Sequence, residues 1–203
     1  GDPDIYVCND FGPSLGGNWV LINDGHGSFT KGDALNADIT TYCMGVSVGD
    51  MDNNGLLDLY VTATEDNHFL HKYEDGFVEV TATKGLDDFD DNQMLWGADI
   101  TDYNNDGLTD IFVATSELSN MNGENNLFPL LLLEQNAERK YKDRAVELGL
   151  SEETMSRIAI AHDINNDGIE DLIASSASRL AYVYASDGCT ENNWIEIEGP
   201  ESS

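Results

Sequence analysis

The sequence contains few basic residues, and this shortage argues against two classes of partner. Nine Lys and Arg stand against 39 Asp and Glu in 203 residues, which gives a formal net charge of −30. A surface of this sign repels nucleic acid and anionic lipid. The same charge weakens a compact fold by self-repulsion unless cations neutralise it. The composition therefore favours divalent cations as partners, with general solubility or a salty habitat as the alternative.

Long apolar runs and cysteine clusters are also missing. No stretch approaches the ~20 apolar residues of a transmembrane helix, so we expect no membrane insertion. The three cysteines, Cys8, Cys43 and Cys189, occur without a CxxC or Cys/His pair, which argues against a zinc site. One disulfide with one thiol left over would suit an oxidising compartment. The sequence does not choose the pair, and Cys8–Cys43 is our working choice.

An internal repeat is the strongest signal in the chain. Three nine-residue segments fit D-x-[DN]-x-[DN]-G-x-x-D, namely residues 50–58, 102–110 and 163–171, called here the first, second and third loops. Each is followed at once by an apolar run such as Leu59–Val61. Asp-Gly turns at residues 23–29 and 73–77 indicate further hairpins. Helix signals are scarce, the best being two short turns within residues 136–148. The predicted class is all-β.

A fourth copy is present in part, because residues 1–7 match residues 55–61 in Gly, Asp and the Tyr-Val pair. We therefore expect about three and a half antiparallel four-stranded repeats over residues 1–186. Residues 187–203 are expected to hold a final strand and the start of a truncated following segment. Because a propeller needs ~4–8 blades, the chain is expected to be part of something larger or completed by other copies of itself.

The repeated loops carry the oxygen atoms that Ca²⁺ prefers. Carboxylate or amide groups at positions 1, 3, 5 and 9, with a carbonyl at position 7, supply most of the six to eight oxygens of a calcium shell. Glycine at position 6 permits the sharp turn. Three Ca²⁺ sites are predicted, with these ligands: Asp50, Asp52, Asn54, the Leu56 carbonyl and Asp58; Asp102, Asn104, Asp106, the Leu108 carbonyl and Asp110; Asp163, Asn165, Asp167, the Ile169 carbonyl and Asp171.

Other interpretations of the loops fit the sequence less well. An EF-hand needs a bidentate Glu at position 12 and flanking helices. Position 12 is Val61, Val113 and Ala174 here, and the flanks are β-type runs. Plain Asx turns with solvated acids would explain one loop. Three loops in register, with a partial fourth, favour calcium.

These segments resemble the FG-GAP or VCBS repeats, best known from the β-propellers of integrin α-subunits. The resemblance rests on residues 44–61, on residues 20–29, and on residues 77–86 and 141–150, which are similar to the linker between blades. It implies β-propeller-type blades with Ca²⁺ in a hairpin loop on one rim. It also implies the side-chain ligands named above, and a secreted or cell-surface protein.

Residues outside the loops give no catalytic constellation, so we expect no enzyme. His26, His68, His71 and His162 are scattered and receive no role. Trp19, Trp96 and Trp194 could stack on sugars, but blade-to-blade packing is the favoured interpretation. The predicted function is a calcium-stabilised extracellular module for adhesion, binding of glycans or surface proteins, or structural assembly as an oligomer or fibre. The alternative is an accessory propeller of a secreted polysaccharide-active enzyme.

Overall fold

The computed structural model describes residues 2–89, 93–117, 127–176 and 181–187, and the statements below concern these residues. They form sixteen strands: β1 (Ile5–Val7), β2 (Trp19–Asn23), β3 (Phe29–Lys31), β4 (Cys43–Gly49), β5 (Asp58–Ala63), β6 (His68–Tyr73), β7 (Gly76–Glu79), β8 (Met94–Thr101), β9 (Asp110–Ser116), β10 (Phe128–Pro129), β11 (Leu131–Gln135), β12 (Tyr141–Asp143), β13 (Glu153–Thr154), β14 (Ser156–His162), β15 (Asp171–Ser176) and β16 (Tyr182–Tyr184).

The strands form four antiparallel sheets in chain order, and a short fifth pairing joins β10 to β13. Sheet 1 contains β1–β2–β3, and sheet 2 contains β4–β5–β6–β7. Sheet 3 has the order β8–β9–β11–β12, and sheet 4 contains β14–β15–β16. The prediction of repeated antiparallel sheets is confirmed, although sheets 1 and 4 have three strands among the described residues rather than four. Residues 188–203, including Cys189 and the predicted C-terminal segment, lie outside the described residues.

The sheets stack face to face, and strand alternation distributes the core between them. In β5, Leu59 and Val61 pack into a cluster shared with sheet 1, whereas Tyr60 packs into a cluster shared with sheet 3. In β9, Ile111 and Val113 face sheet 2, and Phe112 faces sheet 4. Because both faces of these strands are covered, every residue of β5 and β9 is buried, and each strand contains a continuous apolar run, Leu59–Val61 or residues 111–114.

Neighbouring sheets approach most closely at their first strands. A Cβ atom at Gly97 in β8 would lie 2.8 Å from the Arg157 carbonyl oxygen in β14, so only glycine fits there. The Ser47 hydroxyl in β4 donates a 2.6 Å hydrogen bond to the Ala98 carbonyl in β8. These contacts hold β4, β8 and β14 side by side.

A disulfide joins sheet 1 to sheet 2. Cys8 follows β1 and Cys43 begins β4, and their Cα atoms are 5.5 Å apart. The working choice of pair is therefore confirmed. By the chain-entropy model, closing a loop with a sequence separation of 35 residues stabilises the fold by about 4 kcal/mol.

Helices are a minor part of the described chain. They are α1 (Gly12–Leu15), α2 (Thr81–Lys84) and one 3₁₀ turn (Asp33–Leu35). The helical turns expected within residues 136–148 are replaced at first by β12, and hydrogen-bonded turns follow from Arg144 to Leu150. Among the described residues, no helix has the length and apolarity needed to cross a bilayer.

Candidate metal centres

The three loops occupy the same place in three successive sheets. The first loop joins β4 to β5, the second joins β8 to β9, and the third joins β14 to β15. In each, the last Asp of the motif is also the first residue of the second strand. The loops therefore lie side by side at one end of the stacked sheets.

The loops share one backbone conformation that depends on two residues with positive φ. Glycine at position 6 has φ of 84°, 81° and 84° at Gly55, Gly107 and Gly168. Position 4 also has positive φ, with 60°, 53° and 60° at Asn53, Asn105 and Asn166. No role was predicted for position 4 from the sequence. The Asn at position 4 of all three loops could have predicted this positive φ, because Asn tolerates the left-handed region better than most residues.

The Asp at position 1 closes each loop onto its own backbone. Asp50 accepts hydrogen bonds from the N–H groups of Asn54 (2.9 Å) and Gly55 (2.8 Å). Asp102 and Asp163 repeat this pair of bonds with the equivalent residues at 2.8–3.1 Å. Burial raises the pKa of Asp50, but the backbone N–H groups of Gly55 and its neighbours outweigh it, so this pKa is lowered overall.

The side chains at positions 3 and 5 turn towards the same backbone. Asp52 accepts from the Asn54 N–H at 3.2 Å, and the Asn54 amide oxygen accepts from the Leu56 N–H at 2.7 Å. The equivalent bonds in the other loops measure 2.8–3.0 Å. The loop therefore gathers the oxygens of positions 1, 3 and 5 around its own turn. That the position-7 carbonyls of Leu56, Leu108 and Ile169 face an ion stays a prediction.

The Asp at position 9 lies at the buried base of each loop. Asp58 accepts from the N–H groups of Met51 (2.9 Å) and Lys72 (2.7 Å), so it joins the loop to β6. Asp171 makes the same two kinds of contact, with Ile164 at 3.2 Å and Ser186 at 2.9 Å. Asp110 accepts from Gln135 at 2.8 Å. Its other carboxyl oxygen is buried and has no hydrogen-bond partner among the described residues.

Burial and neighbouring acids raise the pKa of two position-9 carboxyls, those of Asp110 and Asp58. Desolvation raises the pKa of Asp110 to about 8, and Asp106, Asp102 and Glu134 add to the shift. Desolvation also raises the pKa of Asp58, whereas the backbone N–H groups of Lys72 and Met51 and the charge of His71 oppose the rise. A divalent cation would remove this cost and give the unpaired Asp110 oxygen a partner. The residues present therefore fit such an ion.

His71, for which no role was predicted from the sequence, enters the first loop. Its Nε2 atom lies 2.7 Å from Asp52 Oδ2, 4.0 Å from Asp58 Oδ1 and 3.1 Å from the Asn54 amide nitrogen. The position of His71 follows from the register of the β5–β6 hairpin. Leu59 pairs with Leu70, which places His71 opposite Asp58. His68, three residues earlier, is 3.9 Å from Glu79 and contacts no loop residue through an ion pair.

Neighbouring loops are joined by the Asn at position 4. The Asn53 side-chain amide donates to the Gly107 carbonyl at 3.2 Å, and that of Asn105 donates to the Gly168 carbonyl at 3.0 Å. A cleft of about 480 Å³ opens beside these bridges and is lined by residues that include Asp50, Asp102 and Glu170. The loops therefore form a connected row rather than three isolated turns.

The tryptophans have different environments. Trp96 stacks on Arg157, whose guanidinium carbon is 3.6 Å from the ring centroid, and packs against the core between sheets 3 and 4. Trp19 is 45% exposed on the face of sheet 1 away from sheet 2, with Lys31 Nζ 5.5 Å from its ring, so its blade-to-blade packing stays a prediction. Trp194 lies outside the described residues.

Stacked antiparallel sheets, each with an acidic nine-residue loop between its first two strands, define a repeat protein built from β-propeller-type blades. The family model of the FG-GAP-like repeat matches residues 1–61 and 102–174, which is more than half of the chain. The chain therefore belongs to the FG-GAP-like repeat family. All three loops fall within the matched segments. No curated protein sequence matches this chain.

Proposed function

We propose that this protein is a non-enzymatic, calcium-stabilised repeat module of an extracellular protein, in which each loop holds one Ca²⁺. The observation that carries the proposal is the shared arrangement of each loop. Oxygens from positions 1, 3 and 5 surround the turn, and a buried Asp stands at its base. The sites would use the fifteen residues predicted from the sequence.

Calcium suits this donor set better than magnesium does. Each loop offers three carboxylates and one amide, and Ca²⁺ accepts six to eight such oxygens in flexible geometry. Mg²⁺ demands a near-ideal octahedron and retains several waters. A carboxylate held by a cation stays ionised, so the position-9 acids would serve as ligands rather than as proton donors.

The role of the ion in this proposal is to join strands. In the first loop, Asp50 follows β4 and Asp58 begins β5, and the Lys72 N–H ties Asp58 to β6. An ion held between these carboxylates would connect the first two strands of the sheet directly and the third through Lys72. Such binding adds about 2.7 kcal/mol of stability per site when the free ion is at 100 times its Kd.

An extracellular location is supported by the disulfide and by the acidity of the chain. Disulfides persist in oxidising compartments, and Cys8 is bonded to Cys43. Extracellular modules hold Ca²⁺ with Kd values on the order of 10⁻⁴–10⁻³ M, which calcium concentrations outside cells would satisfy. The module would then present a rigid surface for adhesion, glycan or protein binding, or assembly with further blades.

Thermal unfolding tests the calcium proposal directly. Three sites, each at 100 times Kd, should raise Tm by roughly 15–30 °C over the chelated protein, and Mg²⁺ should give little of this rise. Asp102→Asn should lose about a third of the calcium effect. Asp75→Asn, an equal charge change in the exposed β6–β7 turn, should retain it. Equal Tm values in Ca²⁺, Mg²⁺ and chelator would refute the proposal.

A further inference from the structure

We propose that the first loop is a mixed nitrogen–oxygen site that binds a transition metal ion of the Zn²⁺ class through His71, Asp52 and Asp58. These three residues are called here the His71 site. The inference rests on the proposed function in one respect, that the loop is an ion site. It adds that the first loop, which holds Ca²⁺ like the other two, can exchange that Ca²⁺ for an ion of the Zn²⁺ class.

The geometry of the His71 site suits a small divalent ion. The ligand atoms of Asp52, Asp58 and His71 all lie within 4.8 Å of one another. Ligands bound at about 2.1 Å, as in zinc sites, lie about 3.0–3.4 Å apart in octahedral or tetrahedral geometry. The separations of 2.7 Å and 4.0 Å from His71 Nε2 bracket this range. An ion could therefore enter after shifts of well under about 1 Å.

The site is held by strands as well as by the loop. His71 is 92% buried within β6, and its ring lies 4.5 Å from Tyr73 and 6.4 Å from Phe69 by ring centroids. Asp58 is fully buried and fixed by two backbone N–H groups. Two of the three ligands are thus already oriented, which reduces the entropy that metal binding must overcome.

The His71 nitrogen that faces the loop makes a hydrogen bond of the kind that a metal ion can replace. Nε2 lies 2.7 Å from the Asp52 carboxylate, and the Asn54 amide has the Lys72 carbonyl at 3.4 Å as its own acceptor. An ion shared by Nε2 and Asp52 would take the place of the one proton between them, because an imidazole nitrogen and a carboxylate are both zinc ligands.

The other loops lack a nitrogen ligand at this place. Lys72, Gln135 and Ser186 donate equivalent N–H bonds to Asp58, Asp110 and Asp171. The residues before them are His71, Glu134 and Ala185. Glu134 bonds to Tyr103 and, at 2.8 Å, to Arg144, and Ala185 has no ligand atom. Imidazole suits zinc, copper and nickel, whereas all-oxygen sites suit calcium and magnesium.

The test is zinc titration of the whole chain, wild type against His71→Gln, with His68→Gln as the matched control. His68 lies on the same strand but faces Glu79. We expect one Zn²⁺ to bind wild type and His68→Gln with equal affinity, and His71→Gln to bind it at least about tenfold more weakly. Co²⁺ should give absorption bands typical of nitrogen coordination in the same two proteins. The calcium-induced rise in Tm should persist in all three.

Three results would overturn the inference. Equal zinc affinity in wild type and His71→Gln would mean that surface carboxylates bind the ion. Calcium binding with no zinc binding would make His71 a positioning residue for Asp52, and would leave the calcium proposal intact. Absence of both ions would remove the proposed function as well.

Discussion

The first and second loops have the same backbone and differ in what surrounds them. In both, the first Asp accepts two N–H bonds from positions 5 and 6, and positive φ recurs at positions 4 and 6. The neighbour on the third strand is His71 in one case and Glu134 in the other. Asp58 has both carboxyl oxygens bonded, whereas Asp110 has one oxygen without a partner in the described part of the chain. The nine-residue motif thus determines the backbone conformation of each loop, and the third strand of the sheet determines the charges around its position-9 carboxyl.

The largest difference between the two loops should appear when the buried Asp is removed. Asp58→Ala leaves the N–H groups of Met51 and Lys72 without their acceptor, whereas Asp110→Ala leaves that of Gln135. Each unsatisfied buried group costs about 1–3 kcal/mol. In chelator, we expect urea unfolding to show a loss of about 2–6 kcal/mol for Asp58→Ala and about half of that for Asp110→Ala. An equal loss would show that the surroundings do not matter.

The second difference concerns pH. The pKa of Asp110 is raised from 3.8 to about 8, so the folded protein keeps a proton that the unfolded chain releases. The metal-free protein should therefore lose stability as pH rises from about 4 to about 8 and level off above that. Urea unfolding in chelator at pH 5 and pH 8 measures this fall.

The same experiment on Asp110→Ala and Asp58→Ala distinguishes the contributions of the two loops to the pH dependence of stability. It should reduce the fall in stability between pH 5 and pH 8 more than Asp58→Ala does, because His71 and two N–H groups favour the ionised form of Asp58. A pH dependence unchanged by Asp110→Ala would contradict the assignment.

The smallest change in stability should come from removing the hydrogen bonds between neighbouring loops. These bonds are equivalent in the first and second loops, so both loops should respond equally. Asn53→Gly and Asn105→Gly retain the positive φ of position 4 and remove the bonds to Gly107 and Gly168. Each exposed or half-buried bond is worth about 0.5–1.5 kcal/mol, so we expect equal losses of about 1 kcal/mol in urea unfolding. Unequal losses would show that the row of loops is not regular.

The strands and loops were predictable because their determinants are local. The hydrogen bonds of positions 1, 3 and 5 join residues two to five apart, so a nine-residue motif contains them entirely. The apolar runs after each loop predicted β5, β9 and β15, and the Asp-Gly turns predicted the hairpins β2–β3 and β6–β7. Of the helical turns predicted within residues 136–148, one forms over residues 144–148, whereas pairing with β11 holds Tyr141–Asp143 as a strand.

The sequence by itself determined the all-β class, the repeat, the conformation of each loop and the carboxylates that each loop gathers. Only the tertiary structure decided that His71 meets Asp52, that Trp19 stays exposed and that Asp110 is buried beside other acids. His71 and Asn54 are 17 residues apart, and Asn105 and the Gly168 carbonyl are 63 apart. Contacts of this kind depend on strand register and on the stacking of whole sheets, because no short segment contains both partners.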